Sequence, residues 1–555
     1  MKNKKIGNLE ATIIIILLCC FFIYEFGYCN LVAITNGTYN FSLFRIVIYL
    51  VFIVLYKLYS KSFISEAEKT LKNKKAIIII YLILFLILFI YEIISFSHPY
   101  VIILTLLIAL NGLLFILCVT KNFIKNIILT IITLGFICSI TTTVYHLIDE
   151  KKHFLSALNV ADGNFNYINS PITDRIFDDI EFYDLTPNFA MKYFGIKYKE
   201  NKFKIQDDYD VYSVPASNFP LLYIPSSIGI NIARLFRGSV ADIFIAGRMA
   251  NAIFYGILLI IIFKLLKYKK DVFYCIYLMP MSIILSATYT ADTITIGIIG
   301  IFIAYVLKIK DYETITFKQF LILLGLFILC LLCKGGAYFA VFTLIFMLPI
   351  IKSTKKDKKI LIIAITIILA SLLLGLYKCS SMITSEAGDT RVKNTNAMQQ
   401  AEGLFNNPTR IFKVYKNYLC KSLLNINWYV GLNLRVFCGR YNKQIMYLLI
   451  AIIIYKSLTD NSYTFKAKDK TIMIITFFLV YFITSFVLYL AYTPVGALSI
   501  NGYQARYLIP VLPLFLMNIN SKKIAKYLKP SYIDSSFAMG ILTILDLVSK
   551  VVGFI

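Results

Sequence analysis

Runs of about 20 apolar residues recur along almost the whole chain, and every second gap between them carries a cluster of lysines. A helix needs about 20 such residues to cross a hydrocarbon layer of ~30 Å. Candidate spans lie at roughly 11–32, 41–58, 76–96, 99–118, 127–147, 240–263, 272–288, 292–307, 319–333, 337–351, 360–378, 444–456, 471–491, 504–518 and 535–555. The expected fold class is therefore an all-α polytopic membrane protein with about 13–15 transmembrane helices. Composition agrees. A soluble chain of 555 residues would split into several domains with polar surfaces, and a sequence that is 59% hydrophobic and 15% charged cannot supply them. The same numbers exclude a disordered chain, collagen and a small disulfide scaffold.

The lysines set the expected orientation. They cluster at Lys2–Lys5, Lys57–Lys75, Lys121–Lys125, Lys264–Lys270, Lys308–Lys318, Lys352–Lys359, Lys456–Lys470 and Lys522–Lys529, while connections such as Thr35–Asn40 and Ser95–Pro99 are nearly free of Lys and Arg. Cytoplasmic loops carry the positive excess, so the N-terminus is expected in the cytoplasm. A formal net charge of +26 then reflects sidedness, and no nucleic-acid partner is expected. The first apolar run follows Lys2, Lys4 and Lys5 like a signal peptide, but it lacks a small-residue cleavage site and carries Glu25; it is expected to stay as a helix. Cys19, Cys20, Cys118, Cys138 and Cys330 lie inside apolar runs and read as small hydrophobes. No CxxC spacing occurs, and three histidines are too few for a His-rich metal site. The abundance of Ile, Lys, Asn and Tyr points to an AT-rich bacterial genome.

Two connections are long, at about 148–239 and 379–443, and both fall outside. Long loops in a compact fold are usually functional. The first holds Pro171, Pro187, Pro215, Pro220 and Pro225 among many aromatics, and short helices lying at the outer interface are expected there. The chain divides into a four-helix extension (1–120), a core (121–520) and a basic loop with a final helix (521–555).

Three groups of residues suggest chemistry. Asp149 and Glu150 emerge where the fifth span leaves the membrane, and His153 follows Asp149 by four residues, which puts both on one helix face. A carboxylate there suits proton abstraction from an acceptor hydroxyl or a divalent cation; it equally suits a solvated helix end neutralised by Lys151 and Lys152. Arg248, Lys334 and Arg506 break the sidedness rule at one predicted depth. Intramembrane cations are costly and usually paired, so a shared anion, best a phosphate, competes with simple snorkelling to the headgroups. Asn251, one turn after Arg248, is placed to hold it. Asp292, at an outer turn, suits a helix cap or a partner for one of the cations.

These residues sit in motifs that resemble the DUF2142 family of bacterial polytopic membrane proteins, within the GT-C glycosyltransferase superfamily. The motifs are Ile148-Asp149-Glu150-Lys151-Lys152-His153-Phe154, with Ile148 in place of the family's proline, and Pro220 to Pro225 followed by Gly229 and Arg234. Gly247-Arg248-Met249-Ala250-Asn251 and Leu278-Met279-Pro280-Met281 through Asp292 come next. Then come Cys333-Lys334-Gly335-Gly336-Ala337-Tyr338, with glycines in place of prolines, and Gly502-Tyr503-Gln504-Ala505-Arg506-Tyr507-Leu508-Ile509-Pro510. The resemblance covers roughly 127–520 and leaves the first four spans outside. It implies a GT-C-like core acting on the outer face of the bacterial cytoplasmic membrane, with a polyprenyl-phosphate sugar as donor and a cell-envelope glycan, teichoic acid or glycolipid as acceptor. It implies Asp149 as base or metal ligand, with Glu150 and His153 beside it. Arg248, Asn251, Lys334, Arg506, Gln504, Tyr507 and Asp292 would bind the donor. No cofactor is expected apart from a divalent cation at the acidic pair. A transporter or flippase, and a polymerase or ligase of lipid-linked glycans, are the rival readings; a transporter calls for repeat symmetry, and the sequence has no evident repeat.

Overall fold

The structure, a computed structural model, describes residues 2–30, 42–73, 75–95, 99–142, 144, 149–163, 165, 218–349, 351–352, 392–426, 428–429 and 443–553. The expected span at 360–378 and most of the first long connection lie outside the described residues. Apart from one two-residue parallel pairing, Ile315–Thr316 with Ile351–Lys352, the described elements are helical, as in an all-α polytopic membrane protein.

The N-terminal part contributes α1 (Lys2–Phe22), which runs on as a π-helix through Ile23–Cys29, then α2 (Leu43–Asn73), α3 (Lys75–Ile94) and α4 (Pro99–Cys118). The core follows with α5 (Phe123–Thr141), α6 (Glu150–Ala161), α7 (Ile224–Leu235), α8 (Val240–Leu265), α9 (Lys270–Tyr277), α10 (Pro280–Ser286), α11 (Asp292–Ile309) and α12 (Phe317–Leu332). Beyond these come α13 (Ala397–Asn406), α14 (Arg410–Lys421), α15 (Lys443–Thr459), α16 (Ala467–Tyr492), α17 (Leu512–Leu516), α18 (Lys522–Tyr527) and α19 (Ser535–Gly553).

Among the described residues seven helical stretches are long and apolar enough to cross a membrane: Glu10–Cys29, Lys75–Ile94, Pro99–Cys118, Phe123–Thr141, Val240–Leu265, Asp292–Ile309 and Ala467–Tyr492. The shortfall from the expected spans has local causes. Proline lacks the backbone donor that continues a helix. Pro280 divides the expected span 272–288 into α9 and α10, and Pro510 and Pro513 leave 504–518 as a 3-10 turn followed by the short α17. The stretch 337–351 is a tight 3-10 segment over Phe339–Met347.

α8 lies at the centre, packed on α7, α11 and α5. It starts in a capping box: Ser239 accepts from the Asp242 N–H, and Asp242 accepts from the Ser239 N–H. The two orphan donors of a helix start are thereby satisfied. Gly247 allows a close approach. A Cβ there would stand 2.0 Å from Tyr289 Oη, whose hydroxyl reaches past to the Phe244 carbonyl at 2.9 Å. Gly247→Ala is expected to cost about 1–3 kcal/mol by overpacking, seen as a lower melting temperature of the purified protein. An unchanged melting curve would mean that Tyr289 swings aside freely.

The N-terminal part is tied to this centre by buried charge. Arg45 Nε lies 2.9 Å from Glu25 and Arg45 Nη1 lies 3.3 Å from Asp242; Glu25 also accepts from Tyr49 Oη at 2.6 Å and Asn30 Nδ2 at 3.1 Å. Buried charges need such partners.

Among the described residues, four of the basic connections, at about 264–270, 308–318, 456–470 and 521–530, meet at one end of the bundle. Lys310 bridges Asp311 and Asp469, Lys456 reaches Asp271, and Tyr268 stacks on Tyr463 with centroids 4.0 Å apart. Asp292 opens α11 and Lys310 follows its last residue, so about 27 Å of helix separates this end from the acids and cations considered next.

Candidate functional site

Four segments meet at the other end. α11 begins with Asp292, whose negative charge suits the electropositive N-terminus of a helix. The helix α12 gives way to a 3-10 turn, Cys333–Gly336, in which Lys334 holds φ +46° and Gly336 φ +82°. The left-handed region is costly for a residue with a Cβ, and such strain persists where surrounding structure demands it. Here it accompanies a Lys334 ammonium in direct contact with Asp292 Oδ1. The 3-10 turn Ala505–Leu508 supplies Arg506, 7% exposed, with Nε 3.7 Å from Asp292 Oδ2. Both cations also lie against the Tyr507 ring, Lys334 Nζ at 4.3 Å and Arg506 Cζ at 5.4 Å from its centroid, a favourable placement for positive charge. Tyr338 Oη donates to the Tyr507 carbonyl at 2.8 Å and so joins the two turns.

The fourth segment is α6. Asp149, also left-handed at φ +67°, precedes it, and the Asp149 carbonyl accepts from the His153 N–H at 3.0 Å. His153 Nδ1 is 2.8 Å from Tyr223 Oη, which also accepts from Asn218 Nδ2 at 3.2 Å. Loss of water around the imidazole pushes its pKa down to about 4, with Asp292 and Asp149 pulling upward and Lys334 and Arg506 pushing downward. The ring is neutral near pH 7 and serves as a hydrogen-bonding group. The charge of Asp149 also acts on Arg506. One cluster thus gathers Asp149, His153, Asp292, Lys334, Arg506 and Tyr507. The Gln504 side chain is half-buried, on the residue that starts the Arg506 turn.

Other candidates have different occupations. Glu150 and Arg248 form a fully buried pair: Arg248 Nε donates to Glu150 Oε1 at 2.9 Å and Nη2 to Oε2 at 2.8 Å. Arg248 Nη1 donates to the carbonyls of Ser139 and Thr142 at 3.1 and 2.6 Å, and Glu150 accepts from the Tyr289 N–H at 3.2 Å. All three guanidinium nitrogens are engaged within the protein. The expectation that Arg248 grips an anion beside Lys334 and Arg506 therefore gives way to a brace joining α6, α8 and the end of α5. Asn251 does not hold Arg248; its Nδ2 donates to the Thr288 carbonyl at 2.8 Å and Thr293 Oγ1 at 3.1 Å, and the residue is fully buried. Asp292 does not cap its helix through its side chain; it pairs with both cations.

The adjacent acids, Asp149 and Glu150, do not act as a chelating couple, because Glu150 is taken up by Arg248. Among the described residues no group of three or more His, Cys, Asp or Glu side chains is assembled for a metal. Sequence reasoning gave no role to Tyr223 or Asn218. Tyr223 lies inside the Pro220–Pro225 motif, and that was the available signal.

Beside this cluster stands a group of packed aromatic rings. Trp428 stacks on Tyr503 with centroids 5.9 Å apart and donates to the Tyr503 carbonyl at 3.3 Å; Tyr418, Tyr481 and Tyr507 pack around the same Tyr503 ring.

A family described as predicted membrane protein (DUF2142) matches residues 132–515. No curated protein and no solved structure matches the chain.

Proposed function

The chain belongs to the DUF2142 family of predicted membrane proteins, and we propose that it is a GT-C-type membrane glycosyltransferase. In this reading it lies in a bacterial plasma membrane with its lysine-rich end in the cytoplasm and the Asp292 pocket on the outer side. It moves a sugar from a polyprenyl-phosphate donor to a cell-envelope glycan, teichoic acid or glycolipid. One observation carries the proposal: two cations from distant parts of the chain, Lys334 and Arg506, meet over a single carboxylate and a single tyrosine ring, beside a second acid, Asp149.

Lys334 and Arg506 each carry one positive charge and Asp292 one negative charge, so the trio keeps a net charge of one. That matches the single negative charge of a sugar–phosphate diester. Asp292 holds both cations in place before the donor arrives, and preorganised charge is the larger part of such catalysis. The acceptor hydroxyl loses its proton to Asp149. Its oxygen bonds to the anomeric carbon as the bond from that carbon to the phosphate oxygen breaks. The electron pair stays on the phosphate, between Lys334 and Arg506. His153, held by Tyr223, orients the acceptor. Gln504 and Tyr507 line the donor side, and Trp428 and Tyr429 stack on sugar faces. Arg248, Glu150 and Asn251 set the framework on which these groups stand.

The rival transport reading needs polar groups along a path between the two faces. The pocket described above lies at one end, which favours transfer.

Arg506→Ala is expected to lower kcat/KM for the donor about 10²–10³-fold, the usual loss for one charge-stabilising donor. Lys526→Ala, on the exposed α18 at the lysine-rich end, should change it less than about twofold. Equal effects would reduce Arg506 to an anchor. Sidedness has its own test. In a background with Cys19, Cys379, Cys420 and Cys438 replaced by Ser, Lys152→Cys and Phe339→Cys should react with an impermeant maleimide on intact cells. Lys526→Cys should react only after permeabilisation. The opposite pattern would invert the orientation.

A further inference from the structure

α14 has two unlike faces. Val414 and Tyr418 are buried, and Tyr415 Oη donates to the Phe482 carbonyl of α16 at 2.8 Å. The other face presents Phe412, 76% exposed, together with the exposed lysines Lys413 and Lys416, and Lys421 is exposed at the helix's last residue. Phe405 just before the helix is 87% exposed and Leu424 just after it is 77% exposed.

The position of α14 is informative. Ser422 at its end hydrogen-bonds Tyr481, and Tyr415 touches Ser485, so these contacts of α14 lie about 10–17 Å short of the Tyr492 end of α16. α16 is ~39 Å long against a hydrocarbon layer of ~30 Å. Asn417 Nδ2 of α14 also donates to the Leu498 carbonyl at 3.3 Å, in the connection beyond the Tyr492 end of α16, so α14 reaches the level where that helix ends. That end of α16 leads into the turn bearing Arg506, so the face lies at the pocket end of the bundle, away from the lysine clusters of the opposite end.

We propose that this face of α14, with Phe405 and Leu424, docks on acidic phospholipid headgroups of the leaflet at the pocket end. Lysines above an apolar edge are the composition of an interfacial helix on an anionic surface. An acidic glycan would account for the lysines but would leave three large apolar side chains in water. The docked helix steadies the pocket, because its buried face supplies Tyr418 Oη to the Tyr503 carbonyl at 3.4 Å, three residues before Arg506. The proposal holds whatever reaction the pocket performs.

The chain has a single tryptophan, Trp428, four residues beyond Leu424, which makes the test direct. The full-length protein is placed in phosphatidylcholine vesicles containing phosphatidylglycerol, with bromine on the chains of one lipid or the other at equal mole fraction. Brominated phosphatidylglycerol is expected to quench Trp428 about twofold or more over brominated phosphatidylcholine, and high salt should remove the difference. The triple variant Lys413→Gln, Lys416→Gln, Lys421→Gln should lose the preference while keeping the phosphatidylcholine quenching. Phe405→Ser with Phe412→Ser should weaken quenching by both lipids. Equal quenching by the two lipids in the parent protein overturns the proposal. If soluble polyphosphate then shifts the parent's emission and not that of the triple variant, the face belongs to an acidic polymer.

Discussion

Asp149→Asn is expected to lower sugar transfer by about 10²–10⁴-fold, the range for loss of a positioned general base, while the melting curve stays within about 0.5 kcal/mol of the parent. Asparagine keeps the shape of the side chain and removes its capacity to take a proton. The half-buried Asp149 begins α6 with a left-handed backbone, which asparagine tolerates nearly as well as aspartate. The measurement is single-turnover transfer from a labelled polyprenyl-phosphate sugar, set beside thermal unfolding of the same preparation. Turnover near the parent rate would remove Asp149 from the mechanism. A collapsed melting curve would make it a structural residue.

The neighbouring residue is expected to behave in the opposite way. Glu150→Ala leaves the Arg248 guanidinium charged, 1% exposed and without its carboxylate. Breaking a buried pair by removing one partner costs about 3–5 kcal/mol, a large part of the stability of a typical domain. Little folded protein should be recovered in detergent, and what remains should melt well below the parent. Glu150→Leu combined with Arg248→Met should recover most of the loss, since apolar replacements of a whole buried pair are often neutral. Failure of the double substitution to recover would mean that the Arg248 bonds to the Ser139 and Thr142 carbonyls matter more than its charge pairing. Two adjacent acids thus separate by readout, one through turnover and one through folding.

Much of the architecture was readable beforehand. The apolar runs place the stretch Glu10–Cys29 and α3, α4, α5, α8, α11 and α16 to within a few residues. The lysine clusters foretell the grouping at one end, where Lys310, Lys456 and Tyr268 find their partners. Arg506 and Lys334 stood out because cations on the sparse side of the alternation are expensive, and the structure brings them to one carboxylate. Asp292 was recognised as a cap or a cation partner, and the structure gives it the second occupation.

Less was readable where the answer depends on packing. Arg248 looked equivalent to Lys334 and Arg506, since all three break the same rule at the same depth. Its neighbours along the chain carry no sign that Glu150, 98 positions away, would take up its donors. Asn251 follows Arg248 by one turn, yet it faces Thr288 and Thr293 on another segment. The expected spans at 272–288 and 504–518 failed because hydropathy averages over prolines that divide a helix. The N-terminal part, outside the matched family region, gave no hint that Arg45 reaches Asp242 and bears on the start of the central helix.

Membrane residence and two-ended charge follow from composition in short windows, because the transfer of apolar and charged groups between water and hydrocarbon is nearly additive along a chain. Which acid meets which cation is a property of helices that touch, and it rests on shape: a glycine at 247 that admits Tyr289, and a left-handed turn at Lys334. A buried charge accepts the partner that packing brings within about 3 Å. The linear order of residues carries the need for that partner and leaves its identity to the folded chain.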